Sequence, residues 1–232
     1  MSPREHAATR AAWQTRPGKS GGKESAVALQ ALRNDPGIRV VGLLTSVTRD
    51  YDRISVHGVR RSLLEAQVAR LSLPLVEITL DAKCSNEAYE AAFIDSLSRI
   101  KQQFPAVSHV AFGDLFLEDV RAYREKLLSP TSFKPLFPIW RQDTSMLAER
   151  FIADGFAARI VCVDTMQLDA SFAGREFDST FLAELPADVD ACGERGEFHT
   201  FVSDGPGFTS PVPYQVGEKV LRDDRFMYCD IL

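Results

Sequence analysis

Apolar and polar positions follow two rhythms along the first half of this chain. The stretch "IRVVGLLTSV" (38–47) is continuously apolar and β-branched, the pattern of a strand buried on both faces. "LPLVEITL" (73–80) and "SHVAFGDL" (108–115) read the same way. Between them, apolar residues recur at helical spacing. Residues 26–33 form one such segment, and 58–72 carry Val59, Leu63, Leu64, Ala66, Val68, Ala69 and Leu71. A long amphipathic stretch covers 86–104, with Ser85 placed to cap its first turn, and 116–128 is helical again. Strand–helix alternation of this kind predicts parallel strands joined by right-handed crossovers, hence an open α/β sheet. Ligands bind such sheets beyond the C-terminal ends of the strands, where 20–25, 45–50 and 113–114 fall.

The rhythm changes after "SPTSFKPLFPIW" (129–140), whose three prolines suggest a linker or boundary. A helix (143–154), a strand (158–165) and a short helix (176–185) follow, and the tail alternates apolar positions with turn residues, as β-hairpins do. One segment fits poorly. The first central strand should precede the glycines near position 20, yet "AATRAAWQTRPGK" offers Ala, Arg, Gln and Pro17 there.

Composition narrows the classes. A chain of 232 residues can bury a sizeable core, and a formal net charge of −5 argues against coating nucleic acid or anionic membranes. The apolar runs are too short for a membrane span, and the N-terminal residues lack a secretory apolar core. Cys84, Cys162, Cys192 and Cys229 are scattered without CxxC spacing, which reads as reduced cytosolic thiols.

The candidate chemistry begins at "GKSGGKESAVALQAL" (18–32), glycines and hydroxyls running into a helix. Walker A spacing fails: three residues separate Gly18 from Gly22, and Glu24 follows Lys23. Ser20-Gly21-Gly22-Lys23-Glu24-Ser25 instead resembles the SGGxDS loop of ATP pyrophosphatases. In a phosphate loop, Gly21 and Gly22 expose backbone donors, Lys23 supplies a point charge, and Ser20 and Ser25 offer hydroxyls. In an ordinary helix start, Ser20 caps and Glu24 favours the macrodipole. Asp114 lies just past a strand end, a place where carboxylates hold metals or substrates. Glu118, Arg121 and Glu125 share a helical face that also reads as a solvated Arg121–Glu125 pair. Glu197 and His199, two apart, point to the same side if they lie on a strand, and could bind an amine or shuttle a proton. His57 and His109 carry weaker claims.

Taken together, "SGGKES", "HGVR" (57–60), "GDLFLEDVRAYREKLL" (113–128), "PIWRQDT" (138–144), "LDASFAGREFD" (168–178) and "GERGEFHTFVSDGP" (193–206) resemble, in order, the diphthine–ammonia ligase family. The resemblance implies an adenine nucleotide alpha-hydrolase-like fold: an open parallel five-stranded sheet with helices on both faces (1–132) and a smaller α+β C-terminal domain (133–232). It implies an ATP pyrophosphatase that adenylates a carboxylate with Mg²⁺ present and lets ammonia displace AMP. The acceptor would be diphthine on elongation factor two, or a small carboxylate. Ser20, Gly21, Gly22, Lys23 and Ser25 would grip the pyrophosphate, with Thr45 near the adenosine. Gly113, Asp114, Glu118, Tyr123 and Arg124 would border the reacting carboxylate. Glu194, Glu197, His199 and Thr200 would serve the acceptor and ammonia. Asp114, Glu118, Glu197 and His199 are the catalytic candidates, in a cytoplasmic enzyme that could be a homo-oligomer. Glu24 stands where the family has aspartate. A nucleotide-binding or sensing protein without catalysis is the alternative, and a sulfur-transfer relative would need the paired cysteines this chain lacks.

Overall fold

The computed structural model describes residues 10–16, 22–54 and 58–232, the first of these by backbone alone. The protein is mixed α/β, with two sheets. Chain order in the first half is β1 (Arg10–Arg16), α1 (Lys23–Asn34), β2 (Ile38–Thr48), β3 (Arg53–Ile54), α2 (Arg61–Leu71), β4 (Leu75–Leu80), α3 (Asn86–Gln103), β5 (Val107–Ala111) and α4 (Glu118–Leu128). The second half continues with β6 (Lys134–Leu136), α5 (Thr144–Ala153), β7 (Ala157–Asp164), α6 (Ser179–Glu184), β8 (Phe198–Asp204), β9 (Val216–Arg222) and β10 (Phe226–Ile231).

In the first sheet β4 pairs with β2, β2 with β1, β1 with β5, and β5 with β6, every pairing parallel. The two-residue β3 adds an antiparallel pairing at the end of β2, through Val47–Ile54 and Thr48–Arg53. The sheet is therefore six-stranded and mixed, where the family resemblance implies five parallel strands: the antiparallel β3 is the addition. β6 lies inside the proline-rich stretch expected as a linker. Pro135 is tolerated there because β6 is paired only on its β5 side. β1 does form, between β2 and β5, despite its composition. Its pairing slips at Ala12/Trp13 on one side and at Ala11/Ala12 on the other. Neighbours on both sides supply the backbone hydrogen bonds that propensity does not.

Alternation along β2 separates two packing faces. Leu44 packs with Ile78, Phe93, Leu97, Ile100 and Leu127, the layer of α3 and α4. Val47 and Leu43 face Leu63, Leu64 and Val68 of α2 on the other side. That second side is shared with the antiparallel sheet β8-β7-β10-β9, because Val161, Phe201 and Ile231 join the same cluster. The start of α1 also enters the second half's core: Val27 and Ala28 pack with Phe151, Phe177, Phe181 and Phe198. α3 begins as its sequence predicts, the Ser85 hydroxyl accepting from the Ala88 N–H at 3.2 Å, a cap worth about 1 kcal/mol.

Candidate active site

Three segments meet at the C-terminal edge of the first sheet: the start of α1, the turn after β5, and the 190–200 segment that leads into β8. Side chains of the third segment hold the backbones of the other two. The Lys23 N–H donates to the Thr200 hydroxyl at 3.0 Å, and the Leu115 N–H donates to Glu194 Oε1 at 3.0 Å. The 190–197 loop braces itself in the same way. Asp190 accepts from the Cys192 and Glu194 N–H groups at 2.9 and 3.1 Å and from the Thr144 hydroxyl at 2.7 Å. Its own N–H donates to Glu197 Oε1 at 3.0 Å. Gly193 is required in this loop: its φ is +63°, and a Cβ there would sit 2.8 Å from the Phe198 carbonyl oxygen. At Gly113 the turn after β5 passes so close to α1 that a Cβ would lie 3.1 Å from the Glu24 carbonyl oxygen.

The predicted phosphate loop is only partly described. Ser20 and Gly21 lie outside the described residues. Gly22 is the N-cap of α1, with no side-chain cap, and Ser25 lies in the first turn. The Lys23 ammonium turns into the second half, 1% exposed, where it donates to the Cys192 carbonyl and pairs with Glu24 at 2.7 Å. It also lies 4.5 and 5.1 Å from the ring centres of Phe198 and Phe177. A buried ammonium needs such partners, since the charge would otherwise be strongly penalised. Glu24, the departure from the family pattern, supplies the neutralising carboxylate.

Asp114 sits just past β5, 4% exposed, with Oδ2 facing Arg124 Nε across 3.6 Å. Arg124 comes from α4 and lies over the Phe112 and Tyr123 rings. Tyr123 is the outer of these two rings; burial, then the nearby Glu90, raises its phenol above the ordinary value. Thr45, buried near the end of β2, has a hydroxyl with no hydrogen-bond partner among the described residues. Glu118 is not brought into this group. Its side chain is 66% exposed and pairs with Arg141 at 2.9 Å. The Arg121–Glu125 surface pair also forms, at 2.9 Å.

Glu197 immediately precedes β8, its carbonyl accepting from the Asp164 N–H at 2.9 Å beside the Val163–Phe198 pair, and its carboxylate accepts from the Asp190 N–H. His199 is buried on β8 opposite Cys162. His57 lies outside the described residues, and His109 is buried on β5 with Nδ1 2.8 Å from the Ser108 hydroxyl. Pattern reading missed Asp190, which organises the loop, because its three acceptor contacts are not periodic.

Burial pushes the Cys162 thiol up to about 12 and raises Cys192 and Cys229 as well, so these buried thiols are poor nucleophiles at neutral pH. No helix among the described residues is long and apolar enough to cross a membrane.

Residues 143–231 match the family model for the diphthamide synthase C-terminal domain. The chain is 28% identical over 134 residues to the diphthine–ammonia ligase of Danio rerio, an alignment covering 55% of this chain and 52% of the relative. It is 24% identical over 188 residues to the Homo sapiens diphthine–ammonia ligase, covering 75% and 70%. The Bos taurus diphthine–ammonia ligase is 24% identical over 184 residues, covering 74% and 69%. The chain thus spans about half of the first relative's length and about seven tenths of the other two.

Proposed function

We propose that this chain is a member of the diphthine–ammonia ligase family, whose C-terminal domain model it matches over 143–231, and an ATP-dependent amidoligase of the AMP-forming type. A carboxylate oxygen attacks the α-phosphorus of ATP and pyrophosphate leaves. Ammonia then adds to the carbonyl carbon, a proton is lost to solvent, and AMP departs with the original carboxylate oxygen, leaving an amide. The observation that carries this reading is the convergence at one sheet edge of the α1 start, the Asp114 turn and the 190–200 segment, fastened by Thr200 and Glu194.

In this reading the phosphates meet the uncapped start of α1, through backbone N–H groups and the hydroxyls of Ser20 and Ser25, with Gly21, Gly22 and Gly113 allowing close approach. Thr45, whose buried hydroxyl has no partner among the described residues, faces the adenosine. Lys23 serves as the buried anchor of the loop. Asp114, just past the end of β5, is the carboxylate that would meet a Mg²⁺ ion carried on the phosphates, since Mg²⁺ on nucleotides usually takes one or two carboxylates. That ion would neutralise charge on the departing pyrophosphate. Tyr123 and Arg124 border the carboxylate. Glu194, Glu197 and Thr200 hold the loops that shape the acceptor side, and His199 stands as a proton carrier. Glu118 would act from the rim. The relatives' name gives diphthine and ammonia as substrates, with elongation factor two as the carrier or a small carboxylate in its place. Cytoplasmic location, self-association, and the division into an α-hydrolase-like unit (1–132) and a C-terminal substrate unit (133–232) belong to the same proposal.

The inward turn of Lys23 favours a second reading, a nucleotide sensor that does not turn over. The two are separated by incubating the protein with ATP labelled at the α-phosphate, Mg²⁺, ammonium and diphthine-bearing elongation factor two. Label in AMP, dependent on ammonium and acceptor, is the expected result. Label in ADP removes the mechanism, and ATP binding without turnover selects the sensor.

A further inference from the structure

The turn after β5 is held by a closed circuit of hydrogen bonds that joins three segments of the chain. The Leu115 carbonyl accepts from the Arg141 N–H at 2.7 Å, and the Leu115 N–H donates to Glu194 Oε1 at 3.0 Å. The Glu194 N–H in turn donates to Asp190 Oδ1 at 3.1 Å, and Asp190 Oδ2 accepts from the Thr144 hydroxyl at 2.7 Å. Arg141 and Thr144 both lie at the entry to α5, so the circuit closes through the chain itself. A further contact fastens the same corner, the Cys192 thiol donating to the Thr144 carbonyl at 3.3 Å.

Two features set this circuit apart from ordinary loop packing. Arg141 has a φ of +61°, a left-handed conformation that non-glycine residues rarely adopt, and it holds that conformation where its N–H meets Leu115. Thr144 is the first residue of α5, yet the cap of that helix is Asp143, whose carboxylate accepts from the Met146 N–H at 2.9 Å. The Thr144 hydroxyl is directed to another loop instead. Links of a hydrogen-bonded circuit constrain one another, so loosening one frees Leu115, the chain neighbour of Asp114, to shift. The start of α1 keeps its own fastening, from the Lys23 N–H to the Thr200 hydroxyl and from the Lys23 ammonium to Glu24.

We propose that Thr144 is a positioning residue: through Asp190 and Glu194 its hydroxyl fixes Leu115, and with it the Asp114 carboxylate, against the start of α1. The consequence for turnover rests on the amidoligase reading. The linkage from Thr144 to Leu115 rests on the hydrogen bonds alone.

Thr144→Val removes the hydroxyl at nearly constant shape, and Thr144→Ser keeps it. In the full chain, amide exchange at Leu115 should accelerate about tenfold in Thr144→Val and stay at the wild-type rate in Thr144→Ser, with the β7 amides equally protected in all three proteins. With Mg²⁺–ATP, ammonium and diphthine-bearing elongation factor two, pyrophosphate release by Thr144→Val should fall about tenfold in kcat, with the KM for ATP within twofold and Thr144→Ser restoring the rate. Leu115 exchange that does not change, or that rises together with exchange in β7, overturns the proposal, because the hydroxyl would then serve only α5 or the fold as a whole. So does an unchanged kcat, a loss that Thr144→Ser shares, or a larger rise in the KM for ATP, which would put Thr144 on the nucleotide side. If the wild-type protein releases no pyrophosphate, the amidoligase reading fails by itself, and exchange at Leu115 still decides whether Thr144 holds the Asp114 turn.

Discussion

Asp164 shows how one side chain can hold a long connection. It ends β7 and is 2% exposed, yet it takes two hydrogen bonds from Arg225, at 2.8 and 2.6 Å, and one from Gln167 at 2.9 Å. Arg225 sits between β9 and β10, so this bidentate pair joins strands 61 residues apart. Hydrogen bonding from Arg225, more than any other cause, lowers the Asp164 carboxyl to about 2, burial opposing it. A carboxylate depressed in the folded state stabilises above its unfolded value, near 4, and that stability is lost as pH falls through 4 toward 2. Because Arg225 is half exposed, the contribution is about 1–2 kcal/mol. Thermal melts from pH 5 to pH 2 should therefore show a drop that is smaller in Arg225→Ala by the Asp164 share. Equal acid sensitivity in the two proteins would assign the drop to other carboxylates. Asp230 behaves alike: burial alone would raise it, but Arg60 and Arg53, at 2.6 and 2.8 Å, bring it to about 2.

Elements were legible in the sequence where period and length agreed. α3 declared itself by a long helical stripe with Ser85 before it, and β2 by an unbroken β-branched run. β3 and β6, two and three residues long, are too short to carry a period. The tail reads as hairpins, but only β9 and β10 pair that way; β8 crosses to β7, a choice fixed by burial of Phe198, Phe201 and Val202 rather than by local turns. At the site, the gathering of Asp114, Glu194, Glu197 and Thr200 was legible as motifs. Their contacts were not, because Glu197 and Glu194 answer to backbone N–H groups brought in by the loop rather than to strand alternation. That loop depends on Asp190. Asp190→Ala would leave the Cys192 and Glu194 N–H groups and the Thr144 hydroxyl without their acceptor. With one carboxylate accepting all three, the cost should be about 3 kcal/mol. Amide exchange at Cys192 and Glu194 should accelerate along with it. Unaltered protection there would mean the loop is held by Glu197 and Lys23 without Asp190.

At the scale of the whole molecule, the two sheets do not keep separate interiors. α1 belongs by chain order to the first sheet, but Val27 and Ala28 are buried among Phe151, Phe177 and Phe198 of the second half. Lys23, at its head, is enclosed by Cys192 and Glu24 and by the Phe177 and Phe198 rings. On the far side, Val47 and Leu64 share a cluster with Val161 and Phe201. Arg53 and Arg60 close the same seam on Asp230 of β10. Unfolding either half alone would expose these surfaces and strand the Lys23 and Asp230 charges, at a cost of several kcal/mol. That is comparable with the total stability of an ordinary domain. Urea unfolding should therefore follow one transition, with far-UV circular dichroism and the fluorescence of Trp13 and Trp140 superimposing. Lys23→Met should test the seam directly. It replaces the buried ammonium with an apolar chain of similar length but leaves Glu24 without its cation, so the midpoint should fall while the two probes stay coincident. Probes that separate in the wild-type protein would show that the first sheet and the second half unfold independently, and that the shared core does not bind them into one cooperative unit.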